Sequence, residues 1–221
     1  MSKNTLWDYF KAIVIAIIIA LFFRAFVVQA FKIPSGSMEP DLIPGDHILV
    51  NKFIYGIRIP FTKAVIPVSH PETGQVIVFK FPYAKKYNLH PGIDFIKRVV
   101  GTPGDKIQII NNSVYVNNHL YACKYAKWTS KKILPAYDSP RDNFGPITVP
   151  KGELFVMGDN RDNSLDSRYW GFVPYKDIIG QAFMIYFSWN PKNHFDIYYK
   201  RFFKMVPDCP FKYGEGKMQN G

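Results

Sequence analysis

The sequence predicts a mainly β protein: an antiparallel β-sheet domain with a smaller inserted β lobe, preceded by one N-terminal transmembrane helix. Three observations carry this. Aromatic residues make up 17% of the 221 residues, and Phe and Tyr sit well on a pleated surface. Short apolar, β-branched runs recur along the chain, each bounded by Gly, Pro, Asn or Asp, the strand-and-turn pattern of an all-β domain. One long apolar run precedes them all. A chain of this length buries one good core with room for a smaller lobe, and its composition is not that of a disordered segment.

The apolar run comes first in the chain. Ala12 to Phe23 reads AIVIAIIIALFF, and after Arg24 it resumes as AFVV before Gln29 and Ala30. Crossing a hydrocarbon core of ~30 Å takes ~20 residues, which Ala12 to Ala30 meets if Arg24, towards the far end, snorkels to the interface. Trp7 and Tyr9 stand where interfacial aromatics belong. The competing reading is a cleavable signal peptide with Lys3 and Lys11 as its basic start and Val28-Gln29-Ala30 as a small-x-small cleavage site. Arg24 counts against an uncharged signal core, so residues 1–30 are read as a short start and a transmembrane anchor. The flanking Lys3, Lys11, Arg24 and Lys32 do not settle its orientation.

Beyond Phe31 the helix signals stop. Pro34, Gly36, Pro40, Pro44 and Gly45 make Phe31 to Asp46 a loop or bent strand. Strands are then expected at His47 to Tyr55, Gln75 to Phe81, Asp94 to Val100, Lys106 to Ile110, Ser113 to Val116, Glu153 to Met157 and Gln181 to Trp189. Gly101 to Asp105 and Asn111-Asn112 are turns. Within the β-rich domain, residues 31–191, the polar stretch 122–150 has no period and reads as an inserted excursion. Residues 192–221 read as a basic, aromatic tail.

The formal net charge is +11. Its basic residues are scattered rather than blocked, which argues against nucleic acid as a partner. Such charge reads first as a generally basic protein with no specific anionic partner and, since an apolar segment lies in the same chain, second as attraction to anionic lipid headgroups. The two cysteines, Cys123 and Cys209, lack metal-type spacing. They form one bridge in an oxidising compartment or remain two thiols.

Three segments carry chemistry. Ile33-Pro-Ser-Gly-Ser-Met-Glu-Pro40 places the hydroxyls of Ser35 and Ser37 around a glycine that lets the backbone come close, as an exposed nucleophile and its oxyanion donors require. Asp94 to Gly101, DFIKRVVG, puts Lys97 inside a strand-like apolar run, on one face with Phe95 and Val99. An amine held on such a face resists charging, its pKa falls, and it becomes able to take a proton from a serine. Gly158 to Arg168, GDNRDNSLDSR, is an unbroken polar run after an apolar strand, too charged for a tight turn unless some members pair. Its spacing is not that of a calcium loop. None of the five histidines lies in a nucleophile-elbow or zinc-type motif.

Together these segments resemble the bacterial type I signal peptidases (leader peptidases), a Ser/Lys-dyad family. The matching elements are FFRAFVVQAFKIPSGSMEPDLIPGDHILVNKFIYG, VIVFKFP, DFIKRVVGTPGDKI and GDNRDNSLDSRYWGFVP, in the family's order. The resemblance implies a membrane-bound endopeptidase that removes signal peptides from secretory preproteins after small-x-small (Ala-x-Ala-like) sites. No cofactor and no metal are implied. It would be single-pass in the bacterial cytoplasmic (inner) membrane, with a cytoplasmic start and its catalytic domain on the extracytoplasmic side, near the protein translocation machinery.

By the same resemblance Ser37 is the nucleophile and Lys97 the general base. The Ser35 hydroxyl joins the Ser37 N–H in the oxyanion hole, and Ser164 orients the lysine. Asp166 and Arg168 form a structural ion pair, with Asp159 and Arg161 supporting the same loop. Phe31, Ile33, Pro34, Met38, Leu42, Ile48, Asp94, Phe95 and Ile96 fall where the family lines its substrate groove. The chain departs from the family at Gln75, often Asp, and at Glu39 and Asp41, which set two carboxylates beside the serine segment. The stretch 122–150 matches none of the family's motifs.

Overall fold

A computed structural model describes residues 7–17, 28–58 and 65–210 of the chain. Its centre is a nine-stranded antiparallel sheet. The main path runs β1 (Val28–Lys32), β2 (Asp46–Asn51), β13 (Ile178–Asn190), β5 (Val76–Lys80), β6 (Asp94–Gly101), β11 (Glu153–Met157) and β12 (Val173–Pro174). Two further strands, β14 (Asn193–Ile197) and β15 (Lys204–Met205), also pair with β13. A hairpin pairs β3 (Gly56–Arg58) with β4 (Val65–Pro67). The smaller sheet orders β10 (Phe144–Thr148), β7 (Lys106–Ile110), β8 (Ser113–Val116) and β9 (His119–Leu120).

The period-two alternation of strand side chains explains how the large sheet is covered on both faces. In β5, Val76 and Val78 enter one apolar cluster with Ile33, Met38, Leu42 and Ile48. Ile77 and Phe79 enter another with Val99, Leu154, Val156 and Trp170. A third cluster joins Val100, Phe155 and Met157 of the large sheet to Ile107, Ile109, Val114 and Val116 of the small one. Lys97 lies opposite Ile77 in the β5–β6 register. The strand face that the sequence assigns to Lys97 is therefore a buried one.

Three domain-level boundaries differ from the sequence reading. The span read over Ala12 to Ala30 falls largely outside the described residues. Its last three residues begin β1 instead, Val28 facing Asn51 and Ala30 facing Leu49, because extended pairing with β2 satisfies their backbone groups. Residues 7–17 are helical, and among the described residues no helix is long and apolar enough to cross a membrane. The inserted lobe is larger than 122–150: it starts at β7, and the end of that stretch returns as β10 to pair with it. The tail expected from residue 192 belongs to the domain as far as residue 210, since β14 and β15 both pair with β13.

Cys123 and Cys209 are bonded, closing a separation of 86 residues. The bridge ties the small lobe to the C-terminal segment. Around it the Cys209 N–H donates to the Gly74 carbonyl, and Tyr121 Oη donates to the Cys209 carbonyl at 2.9 Å.

Candidate active site

The loop between β1 and β2 carries Ser37. Pro34 and Pro40 lack the N–H groups that a continuing helix or strand needs, so the chain forms only a short 3-10 turn, Gly36–Met38. Two buried side chains, Met38 and Leu42, pull the loop down onto the core. The Leu42 N–H donates to the Met38 carbonyl, and the Ile33 N–H to the Asp46 carbonyl closes the base. From the other side Asn160 holds the turn: its N–H donates to the Ser37 carbonyl, and its Nδ2 donates to the Gly36 carbonyl at 3.1 Å.

Lys97 reaches this loop from β6. Its Nζ stands 2.9 Å from Ser37 Oγ and donates to the Ile96 carbonyl at 2.9 Å. The residue is 4% exposed. Burial lowers its pKa to about 8, against the weaker opposing pull of Asp166 and Asp159. A substantial neutral fraction at mildly alkaline pH follows, in hydrogen-bond contact with a hydroxyl. This is the arrangement an amine base needs: geometry first, then a pKa near the working pH.

An open cleft of about 450 Å³ lies over the pair, lined by Ser35, Gly36 and Ser37 with Lys97. Of the nine residues expected to line a substrate groove, Pro34, Asp94, Phe95 and Ile96 do so. Ile33, Met38, Leu42 and Ile48 do not: they are buried in the cluster beneath, because each carries its side chain inward from the loop or from β2. Phe31 packs against that same cluster. The sequence reading missed Asn160, Asn163 and Leu165, which also line the cleft. They sat inside the polar run already singled out, but nothing in their spacing distinguished them from its other members. Glu39 lines the cleft, whereas Asp41 is buried and faces Arg98.

The polar run resolves into pairs. Asp166 accepts from Arg168 Nε and Nη2, each at 2.8 Å. Burial alone would raise the Asp166 carboxyl; the Arg168 charge and hydrogen bonds outweigh it and hold the group below its ordinary value. Asp159 pairs with Arg98, not with Arg161, through Nε at 2.8 Å and Nη2 at 2.7 Å. Arg161 is buried with Nε and Nη2 unpaired. It lies 6.0 Å from the centre of the Trp128 ring, and burial lowers its pKa to about 10.

Ser164, expected to orient the lysine, makes no hydrogen bond to it: Lys97 Nζ contacts Ser37 Oγ and the Ile96 carbonyl, and the buried Ser164 hydroxyl instead helps hold the Asp166 carboxyl down. Ser164 packs directly over Gly158, in the space a Cβ there would need. A side chain at 158 would strike both Ser164 and the Ser37 carbonyl, so the glycine permits this close approach.

The chain matches the family model for signal peptidase, peptidase S26, over residues 6–189. It is 40% identical to the signal peptidase I of Pseudomonas aeruginosa, over 86% of this chain and 76% of that one. It is 38% identical to a probable signal peptidase I-2 of Synechocystis, over 82% and 73%. With the signal peptidase I of Aquifex aeolicus it shares 36% identity, over 78% and 80%. With its family motifs at one cleft and these relatives along most of its length, the chain belongs to the signal peptidase family, peptidase S26, and is a serine endopeptidase.

Proposed function

We propose that this chain removes N-terminal signal peptides from exported preproteins, cutting after small-x-small sites through a Ser37 acyl-enzyme. The observation that carries the mechanism is the 2.9 Å contact between the buried Lys97 Nζ and Ser37 Oγ. Neutral Lys97 takes the hydroxyl proton as Oγ attacks the scissile carbonyl. The Ser37 N–H and the Ser35 hydroxyl stabilise the oxyanion. Lys97 then protonates the leaving amine, and water, deprotonated by Lys97 in turn, releases the acyl group. No step calls for a cofactor.

The edge of β6 suits an extended substrate. β11 pairs with β6 only from Arg98 to Gly101, which leaves the edge beside the cleft, Asp94 to Lys97, open for strand addition. Phe95 and Ile96 on that edge favour small apolar side chains next to the cut. In this reading the N-terminal apolar run anchors the domain at the extracytoplasmic face of the bacterial inner membrane. The Cys123–Cys209 bridge suits an oxidising compartment. Exposed Tyr199, Phe203 and Met205, interleaved with Lys200 and Lys204, suit the surface of an anionic bilayer. The translocation machinery would deliver the substrates there.

Incubating the detergent-solubilised protein with a secretory preprotein, then sequencing the new N-terminus, tests the proposal. The expected product starts directly after a small-x-small triplet and is absent with Ser37→Ala. An uncut preprotein in the presence of folded wild-type chain contradicts it.

A further inference from the structure

We propose that Arg201, in the C-terminal segment, is a positioning residue for Ser37: it clamps the far limb of the nucleophile loop to the start of β2. The inference rests on the assignment of Ser37 as nucleophile and goes beyond the family's motifs, since the family match ends at residue 189.

Arg201 closes the 3-10 turn Tyr199–Arg201, and its guanidinium makes three contacts. Nε donates to Asp46 Oδ1 at 2.7 Å. Nη2 donates to Asp46 Oδ2 at 2.5 Å and to the Asp41 carbonyl at 2.8 Å. Asp46 opens β2, and Asp41 lies four residues beyond Ser37. One planar fork therefore spans both ends of the returning limb, a task suited to guanidinium geometry and poorly matched by an ammonium.

Asp46 is itself held in place. It is fully buried and also accepts from Ser188 Oγ at 2.7 Å and the Ile43 N–H at 2.9 Å. The Asp41 carboxylate faces Arg98 Nη2 at 3.3 Å and Lys204 Nζ at 3.7 Å. Above the buried anchors Met38 and Leu42, Asn160 holds the turn that presents Ser37, and Arg201 ties the returning limb to the sheet beside the Arg98 and Lys204 contacts of Asp41. Without Arg201 the limb loses the tie between the Asp41 carbonyl and Asp46, and the turn can shift against Lys97 Nζ. A displacement of about 1 Å at a reacting group costs on the order of 100-fold in rate.

Arg201→Met, Arg201→Lys and Asp46→Asn are compared with wild type in the full-length detergent-solubilised chain, on a peptide containing a small-x-small site. The folded fraction is set by circular dichroism, well below the unfolding temperature. For Arg201→Met we expect kcat to fall about 10–100-fold, with KM within about threefold. The midpoint of the pH–rate profile stays in place while its plateau drops, because Lys97 keeps its surroundings. Arg201→Lys recovers part of the loss. Combining Arg201→Met with Asp46→Asn costs little more than either alone.

Wild-type kcat in folded Arg201→Met overturns the proposal, as does a loss that vanishes when rates are normalised to folded protein. Should Arg201→Met fail to fold, Arg201→Lys decides by the same two readings. Turnover by Ser37→Ala would defeat the underlying assignment instead. An inactive Ser37→Ala beside a fully active Arg201→Met would defeat only the clamp.

Discussion

Replacing Lys97 with Met or Arg, or Ser37 with Ala, is expected to lower kcat by about 10⁴–10⁶-fold, since the members of a nucleophile–base pair act as a unit. The Arg variant is the informative one. It keeps a long cationic side chain, but a guanidinium does not surrender its proton in this range. If charge near Ser37 were what mattered, Arg would rescue; if an uncharged amine is needed, it fails as Met does.

Stability should move the opposite way for Lys97→Met. Burial lowers the Lys97 pKa from its ordinary 10.5 to about 8. Between those values the unfolded chain binds more protons than the folded one, so this group's contribution to stability rises with pH through that window. Below about pH 8 the folded protein bears the whole cost of a buried ammonium, on the order of 3 kcal/mol. Lys97→Met removes that cost and loses two hydrogen bonds. Near pH 6.5 it should therefore be at least as stable as wild type while inactive, a pattern measured by thermal melts alongside peptide cleavage.

Breaking the Arg98–Asp159 pair should give the largest loss of stability. Both side chains are wholly buried, and Arg98 also donates to the Gly74 and Pro207 carbonyls. Arg98→Met leaves Asp159 and Asp41 as carboxylates in the interior, whereas Asp159→Asn leaves a guanidinium short of a charge partner. Removing one member of such a pair costs about 3–5 kcal/mol. At about 2–4 °C per kcal/mol for a domain of this size, the melting temperature falls by roughly 6–20 °C. The pair also braces the neighbour of Lys97 against the residue before Asn160. Cleavage should therefore fall with stability in these variants, and denaturant titration separates the two. An unchanged midpoint for Arg98→Met would show that the interior tolerates the Asp159 carboxylate without its guanidinium partner.

The strands were legible because alternation and turn residues agree. Lys106–Ile110, Ser113–Val116 and Glu153–Met157 occupy their expected limits, each with Gly, Asn or Pro close by to stop it. β1 was not legible. Val28 to Ala30 continue an apolar run, and only their pairing with Asn51 to Leu49 shows them to be extended. Ser37 and Lys97 were legible as chemical types, and the resemblance joined them. The burial of Lys97 and its distance from Ser37 depend on the β5–β6 register and on Met38 and Leu42 anchoring the loop, which are tertiary facts. For the same reason the expected groove residues divide. Ile33, Met38, Leu42 and Ile48 are apolar like Ile96, and composition cannot tell a cleft wall from the core beneath it. Arg201 lay in a stretch that reads as a basic tail, where nothing local shows that it meets a buried Asp46.

The account turns on the protonation state of one amine. Its most direct test follows the Lys97 Nζ resonance by NMR in chain carrying ¹⁵N-labelled lysine, assigned by comparison with Lys97→Met. The account predicts a titration midpoint near 8, coincident with the rise of kcat/KM with pH. A midpoint near the ordinary 10.5, with cleavage already at full rate at pH 7, would contradict it.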